Sequence, residues 1–137
     1  MYFYKGVIGD MRDTSRVEVL RTTTYLLLRL GFQASQRGYR YLREAVWVAY
    51  EDPEMVTSVT KLLYPEIAKR FSTTDKQVER AIRNSIETAW AKGNHDSLKS
   101  VFYTCYKEGN GRPTNTEVIE TLVKYIEDSA WSEAAEG

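Results

Sequence analysis

The stretch Ile67–Trp90, IAKRFSTTDKQVERAIRNSIETAW, decides how this chain is read. Ile67, Ala68 and Phe71 fall at i, i+1 and i+4, one apolar stripe on a short helix. Ser72, Thr73 and Thr74 then interrupt the pattern, because their side chains bond nearby backbone and favour turns and caps. Thr74 with Gln77 fits a capping box, which places the start of a second helix near Asp75. In that helix Val78, Ala81, Ile82, Ser85, Ile86 and Ala89 keep to one side, with Trp90 at the border. Lys76, Arg80, Arg83 and Glu87 fall on the other side, and Arg80 lies almost opposite the centre of the apolar stripe. The arrangement suits a helix-turn-helix, whose first helix holds the second against a core while the second turns a charged face toward a major groove. It suits an ordinary amphipathic helix pair with a solvated face equally well, since the pattern is degenerate.

Working outward, the flanks also read as helices. Upstream, Asp52-Pro53 is a start signal, Asp as cap and Pro at the first helical position, for a helix from Pro53 to about Leu63. Tyr64-Pro65 is expected to interrupt it, because proline disfavours helical geometry in the residue before it. Gly38 opens GYRYLREAVWVAYED, in which Leu42, Ala45, Val46 and Ala49 repeat at helical spacing and Arg40 and Arg43 point elsewhere. Earlier still, a helix from about Thr14 shows Val17, Leu20, Thr24, Leu27 and Leu28 on one face and ends at Gly31. Met1–Asp13 fits a short strand, a docked arm or a leader.

Downstream, Gly93-Asn94 ends the long helix and His95-Asp96-Ser97 starts a short one through about Tyr106. Glu108–Arg112 is a glycine-rich loop, and Thr114 with Glu117 forms a second capping box, opening a final helix to about Glu127. The expected fold is all-α, about six helices containing a helix-turn-helix, winged-helix-like but without a clear wing. Residues 1–21 form an extension, 22–127 the domain, and 128–137 an acidic tail expected to fray.

Formal net charge is zero, which disguises an uneven distribution. From Glu117 onward there are six acids and one base, so the preceding body holds 18 basic against 13 acidic residues. Such a body can steer an encounter with DNA without being a sequence-blind basic coat. Cys105 is the single cysteine, so no internal disulfide forms; a reducing compartment and a small buried hydrophobe are expected. There is no apolar run long enough for a membrane span and no signal-peptide pattern, so a cytoplasmic location is expected. His95 is the only histidine and reads as a surface or capping residue. No cluster has metal-ligand spacing, EGNGR lacks the lysine and hydroxyl of a phosphate-binding loop, and no carboxylates pair for acid–base work. Neither catalytic residues, metal nor cofactor are expected.

Five blocks occur together: GYRYLREAV (38–46), TKLLYPEIAKRF (60–71), TT-x-x-x-VERAIR (73–83), AW-x-x-GN-x-DS (89–97) and RPTN-x-E (112–117). In this order and spacing the chain resembles the C-terminal DNA-binding domain of the stage-zero sporulation protein A response-regulator family, over roughly residues 22–127. The resemblance implies a six-helix domain whose recognition helix, about 75–92 here, reads a short box in double-stranded DNA, with paired domains on tandem boxes. It assigns base reading to Glu79, Arg80 and Arg83. The outward placement of the two arginines agrees, because arginine suits bidentate contact with guanine. Glu79 would either accept from cytosine or orient a neighbouring arginine.

Phosphate positioning would fall to Thr73, Thr74, Lys76, Gln77, Asn84 and Arg112. Lys76-Gln77 and Asn84 depart from the Ser-Arg and His common in the family, which bears on box preference. The segment after the recognition helix, with Lys92, Asn94, His95, Asp96 and Leu98, would contact the RNA polymerase sigma subunit. Family members carry a phospho-acceptor receiver, for which this length leaves no room, so either an isolated effector domain or a natural stand-alone relative is expected. The alternative from another class is a receiver-less interaction protein that engages sigma factor or full-length relatives and binds DNA weakly.

Overall fold

One helix, α2 (Arg37–Glu51), is buried on most of its circumference and organises the others. The stripe Leu42, Ala45, Val46 and Ala49 lies at its centre, and Tyr39, Tyr41, Trp47 and Val48 extend burial around it. A helix apolar on several sides must be enclosed by neighbours. Here α1 (Tyr4–Leu30), α4 (Asp75–Lys92) and α6 (Asn115–Glu136) enclose it. The structure is a computed structural model that describes residues 4–107, 109 and 111–136, with side chains over 15–107, 109 and 111–129. It contains no strand among the described residues, so the domain is all-α with six α-helices there and no wing.

Helix α1 starts at Tyr4 rather than near Thr14 and runs unbroken through position 21, where the sequence suggested an extension would end. Met1–Asp13, expected as a short strand, a docked arm or a leader, is helical from Tyr4 onward instead, and residues 1–3 lie outside the described residues. The buried face also differs from the expected one. It is Val19, Thr23, Leu26, Leu27 and Leu30, whereas Val17 and Leu28 are each 50% exposed. Thr23 is tolerated on that face because its hydroxyl donates to the carbonyl of Val19 at 2.7 Å, so a polar side chain is buried with its bond satisfied. The expected cap at Gly31 is present. Gly31 has φ 104°, its N–H donates to Leu28, and that of Phe32 donates to Leu27.

Asp52 caps the next segment by accepting from the N–H of Glu54 at 3.2 Å. The chain winds tightly over Pro53–Ser58 and then widely over Val59–Leu63 before entering α3 (Tyr64–Arg70). Tyr64-Pro65 therefore does not interrupt the path as expected. Tyr64 stays helical, and its N–H donates five residues back, to Val59. A widened turn moves carbonyls away from the proline ring, which is how helical geometry survives the residue before it.

Helix α5 (His95–Val101) is capped by Asn94, which accepts from the N–H of Ser97, and it ends well short of Tyr106. The second capping box is fully made: Thr114 accepts from the N–H of Glu117, whose carboxylate accepts from the N–H of Thr114. Helix α6 continues past Glu127 to Glu136, where fraying was expected. In the loop before it, Glu108 and Asn110 lie outside the described residues. Cys105 is half-buried, and burial pushes its thiol up from its ordinary value, which fits the expected inert role.

Candidate nucleic-acid interface

Helices α3 and α4 enclose the four-residue turn Phe71–Thr74. Within it Ser72 takes a left-handed conformation, φ 53°, and the N–H of Thr73 returns to the carbonyl of Ala68 at 2.9 Å. Thr74 caps α4 by accepting from the N–H of Gln77 at 3.2 Å. The reciprocal half of that capping box is absent, because the Gln77 side chain instead accepts from the Thr73 hydroxyl. Val78, Ile82, Ser85, Ile86, Ala89 and Trp90 are buried, which leaves Lys76, Arg80, Arg83 and Asn84 on an exposed ridge.

The ridge lies between two clefts. One is lined by Tyr64 and Glu79, Arg83 and Ile86 of α4, with Arg112–Thr116 on the far wall. Asn115 builds it by donating from its amide to the Tyr64 hydroxyl and to the Glu79 backbone carbonyl, both at 3.0 Å. Burial pushes the Tyr64 hydroxyl up from its ordinary value, so it stays protonated and holds this contact. The other cleft lies between α4 and the start of α2, with Arg37 and Tyr41 facing Gln77, Arg80, Ala81 and Asn84.

The three expected base readers are not equivalent. Arg80 is exposed and makes no ion pair among the described residues. Arg83 is exposed but paired with Glu79 one turn earlier, so the geometry favours the orienting role for Glu79. Among the expected phosphate contacts, Lys76 and Asn84 are exposed, and Thr73, Thr74 and Gln77 are joined to one another at the helix start. Arg112 is exposed and donates to Glu87 of α4 at 2.5 Å, which fixes the loop against the ridge. Arg37 is the residue that sequence reasoning missed. It precedes the apolar stripe of its helix, and only the crossing of α2 over α4 brings it beside Arg80.

At the far end of α4 the expected polymerase set divides. Lys92, Asn94, His95 and Asp96 are exposed. Leu98 is fully buried, so it anchors α5 to the core and cannot meet a partner as expected. His95 caps α4: its Nε2 lies 2.9 Å from the Trp90 carbonyl and its Nδ1 2.7 Å from the Tyr106 hydroxyl. Both ring nitrogens of His95 thus have a polar partner.

No group of metal-ligating side chains occurs among the described residues, and no helix there is long and apolar enough to cross a membrane. A short helix, a polar turn and a second helix with one buried side and a cationic ridge define a helix-turn-helix nucleic-acid-binding domain. The chain matches the family described as sporulation initiation factor Spo0A C terminal over residues 23–126, and it belongs to that family. It is therefore a DNA-binding transcription-regulator domain of the response-regulator effector type. The match begins inside α1 and ends inside α6.

Proposed function

We propose that this domain binds a specific double-stranded DNA sequence by laying α4 in the major groove, with Arg80 as its principal base reader. The observation that carries this reading is Arg80 itself: exposed on the ridge, opposite the buried stripe, and with no carboxylate paired to it among the described residues. An unpaired guanidinium keeps its fork available for guanine O6 and N7. Arg83, held by Glu79, reads beside it, and Lys76, Asn84 and Arg112 position the backbone. Selection of bound sequences from a random duplex pool supplies the target, and Arg80→Ala then tests the assignment in a gel shift. The expected loss is about 1–3 kcal/mol, with relaxed choice at one position. Unchanged affinity and unchanged preference would show that Arg80 reads nothing.

A second contact goes with this reading, to the RNA polymerase sigma subunit through Lys92, Asn94, His95 and Asp96. The bonds of His95 to Trp90 and Tyr106 support it, because they tie the turn to the end of α4 while Lys92 and Asp96 stay exposed beside it. A charge reversal at Lys92 and Asp96 together is expected to abolish sigma capture while leaving DNA binding intact. Retained capture would remove this surface from consideration.

A further inference from the structure

The cleft between α2 and α4 holds two guanidinium groups and no carboxylate. Arg37 enters it from the first position of α2, and Arg80 from the ridge of α4. Gln77 and Asn84 lie one turn to either side of Arg80 on the same wall, and the floor is Tyr41 and Ala81. Elsewhere around the ridge the arginines are neutralised within the protein: Arg83 by Glu79, Arg112 by Glu87, and Arg70 by Glu66 and Glu44. Neither Arg37 nor Arg80 makes an ion pair among the described residues. Two like charges facing one groove repel each other unless an anion enters between them.

The start of α2 adds to this field. Its cap residue, Gln36, makes no capping bond to the helix: its amide nitrogen donates to the Thr88 hydroxyl of α4 at 3.0 Å, and its side-chain oxygen is buried with no partner among the described residues. The first-turn N–H groups thus lack a side-chain acceptor, and the positive end of the helix points the same way as Arg37 in charge. The Gln36–Thr88 bond also pins that end of α2 to α4, so Arg37 keeps a fixed place relative to the ridge. Gln77 accepts from Thr73 through its carbonyl oxygen, and its amide nitrogen makes no bond among the described residues, which leaves it as a further donor.

From this we infer that the α2–α4 cleft is a DNA phosphate site, in which Arg37, with Gln77 and Asn84, grips the backbone of one strand while Arg80 reaches past it to a base. The inference rests on the proposed placement of α4 in the major groove. That groove is bounded by two backbones about 12 Å apart, and the ridge likewise has a cation on either flank, Arg37 on one side and Arg112 on the other. Arg37 acts without reading sequence, so its contribution is the same on every duplex.

The test measures binding of the full chain to a selected duplex and to a scrambled duplex of equal length, over a range of salt. Arg37→Ala is expected to weaken binding to both duplexes by the same factor. It is also expected to reduce the slope of log affinity against log salt by about 0.9, the value for one phosphate on B-form DNA. Arg37→Lys, which keeps the charge, is expected to retain the slope. Arg29→Ala, at an exposed arginine in the last turn of α1 that does not line the cleft, controls for net charge and is expected to leave the slope unchanged.

An unchanged slope for Arg37→Ala, or an equal change for Arg29→Ala, would overturn the site. A loss confined to the selected duplex would overturn it too, making Arg37 a base reader. If instead the unaltered chain bound neither duplex, the major-groove reading itself would fail. Relaxed choice in Arg80→Ala beside an unaltered Arg37→Ala would remove the phosphate site alone.

Discussion

Arg80 and Arg83 lie one turn apart on the same ridge but in different states. Arg80 has its full hydrogen-bonding fork available, whereas Arg83 is already held by Glu79. An exposed pair of this spacing contributes little to folding, about 0.3–0.5 kcal/mol, so its consequence is orientation rather than stability. On the proposed reading Glu79 has no base contact of its own, and its effect passes through Arg83. A double-mutant cycle of Glu79→Ala and Arg83→Ala, read by affinity for the selected duplex, is expected to show a coupling of about 0.5–3 kcal/mol. Strict additivity would mean that Glu79 recognises a base by itself. The sequence left both roles open for Glu79, because spacing places two side chains within reach but does not say which contact forms.

At the scale of elements, the crossing of α2 over α4 sets the position of the ridge, and Gly38 makes that crossing possible. A β-carbon at Gly38 would lie 2.0 Å from the Ala81 carbonyl and 2.2 Å from the Ser85 hydroxyl. Backbone cannot yield as a flexible side chain can, so the helices must separate. Gly38→Ala is expected to cost about 3 kcal/mol, near the upper end for overpacking, read from the urea midpoint of helix content. It should weaken DNA binding as well, since Arg37 moves with the helix start. A midpoint within error of the unaltered chain would show that the crossing is looser than these distances imply.

The cap of α4 makes a smaller contribution. Thr74→Ala removes the acceptor for the N–H of Gln77 and is expected to cost about 1 kcal/mol. Both caps, the stripes of α2 and α4 and the all-α class were legible because they rest on local chemistry. The face of α1 was not, since apolar residues from Tyr25 to Leu28 surround the helix and only tertiary packing selects among them. Arg37 was hidden for the same reason: a site assembled from two helices has no signature in either one.

At the scale of the whole molecule, one carboxylate ties α1 to the first helix of the helix-turn-helix. Glu44 of α2, with its side chain only 12% exposed, accepts from Arg16 of α1 at 3.1 and 3.2 Å and from Arg70 of α3 at 2.7 Å. Arg16 also lies over the Trp47 ring at 5.5 Å, and Arg70 donates as well to Glu66 at 2.8 Å. Burial alone would push the Glu44 carboxyl up, but the hydrogen bonds from Arg16 and Arg70 outweigh it and hold it below the ordinary value of 4.5. A carboxyl lowered in the folded state stabilises the fold fully above its unfolded value, and that contribution disappears as pH falls through the lower folded one.

Glu44→Gln is therefore expected to be less stable than the unaltered chain at neutral pH, by about 1.5–3 kcal/mol for a lost charged hydrogen-bond centre. The difference should hold as pH falls to about 4.5 and close below it, where the unaltered chain protonates Glu44 as well. Urea midpoints of both proteins across the acid range decide the matter. A gap that stayed constant below that pH would show that the loss comes from packing, and that α1 reaches the helix-turn-helix by some route other than this charge.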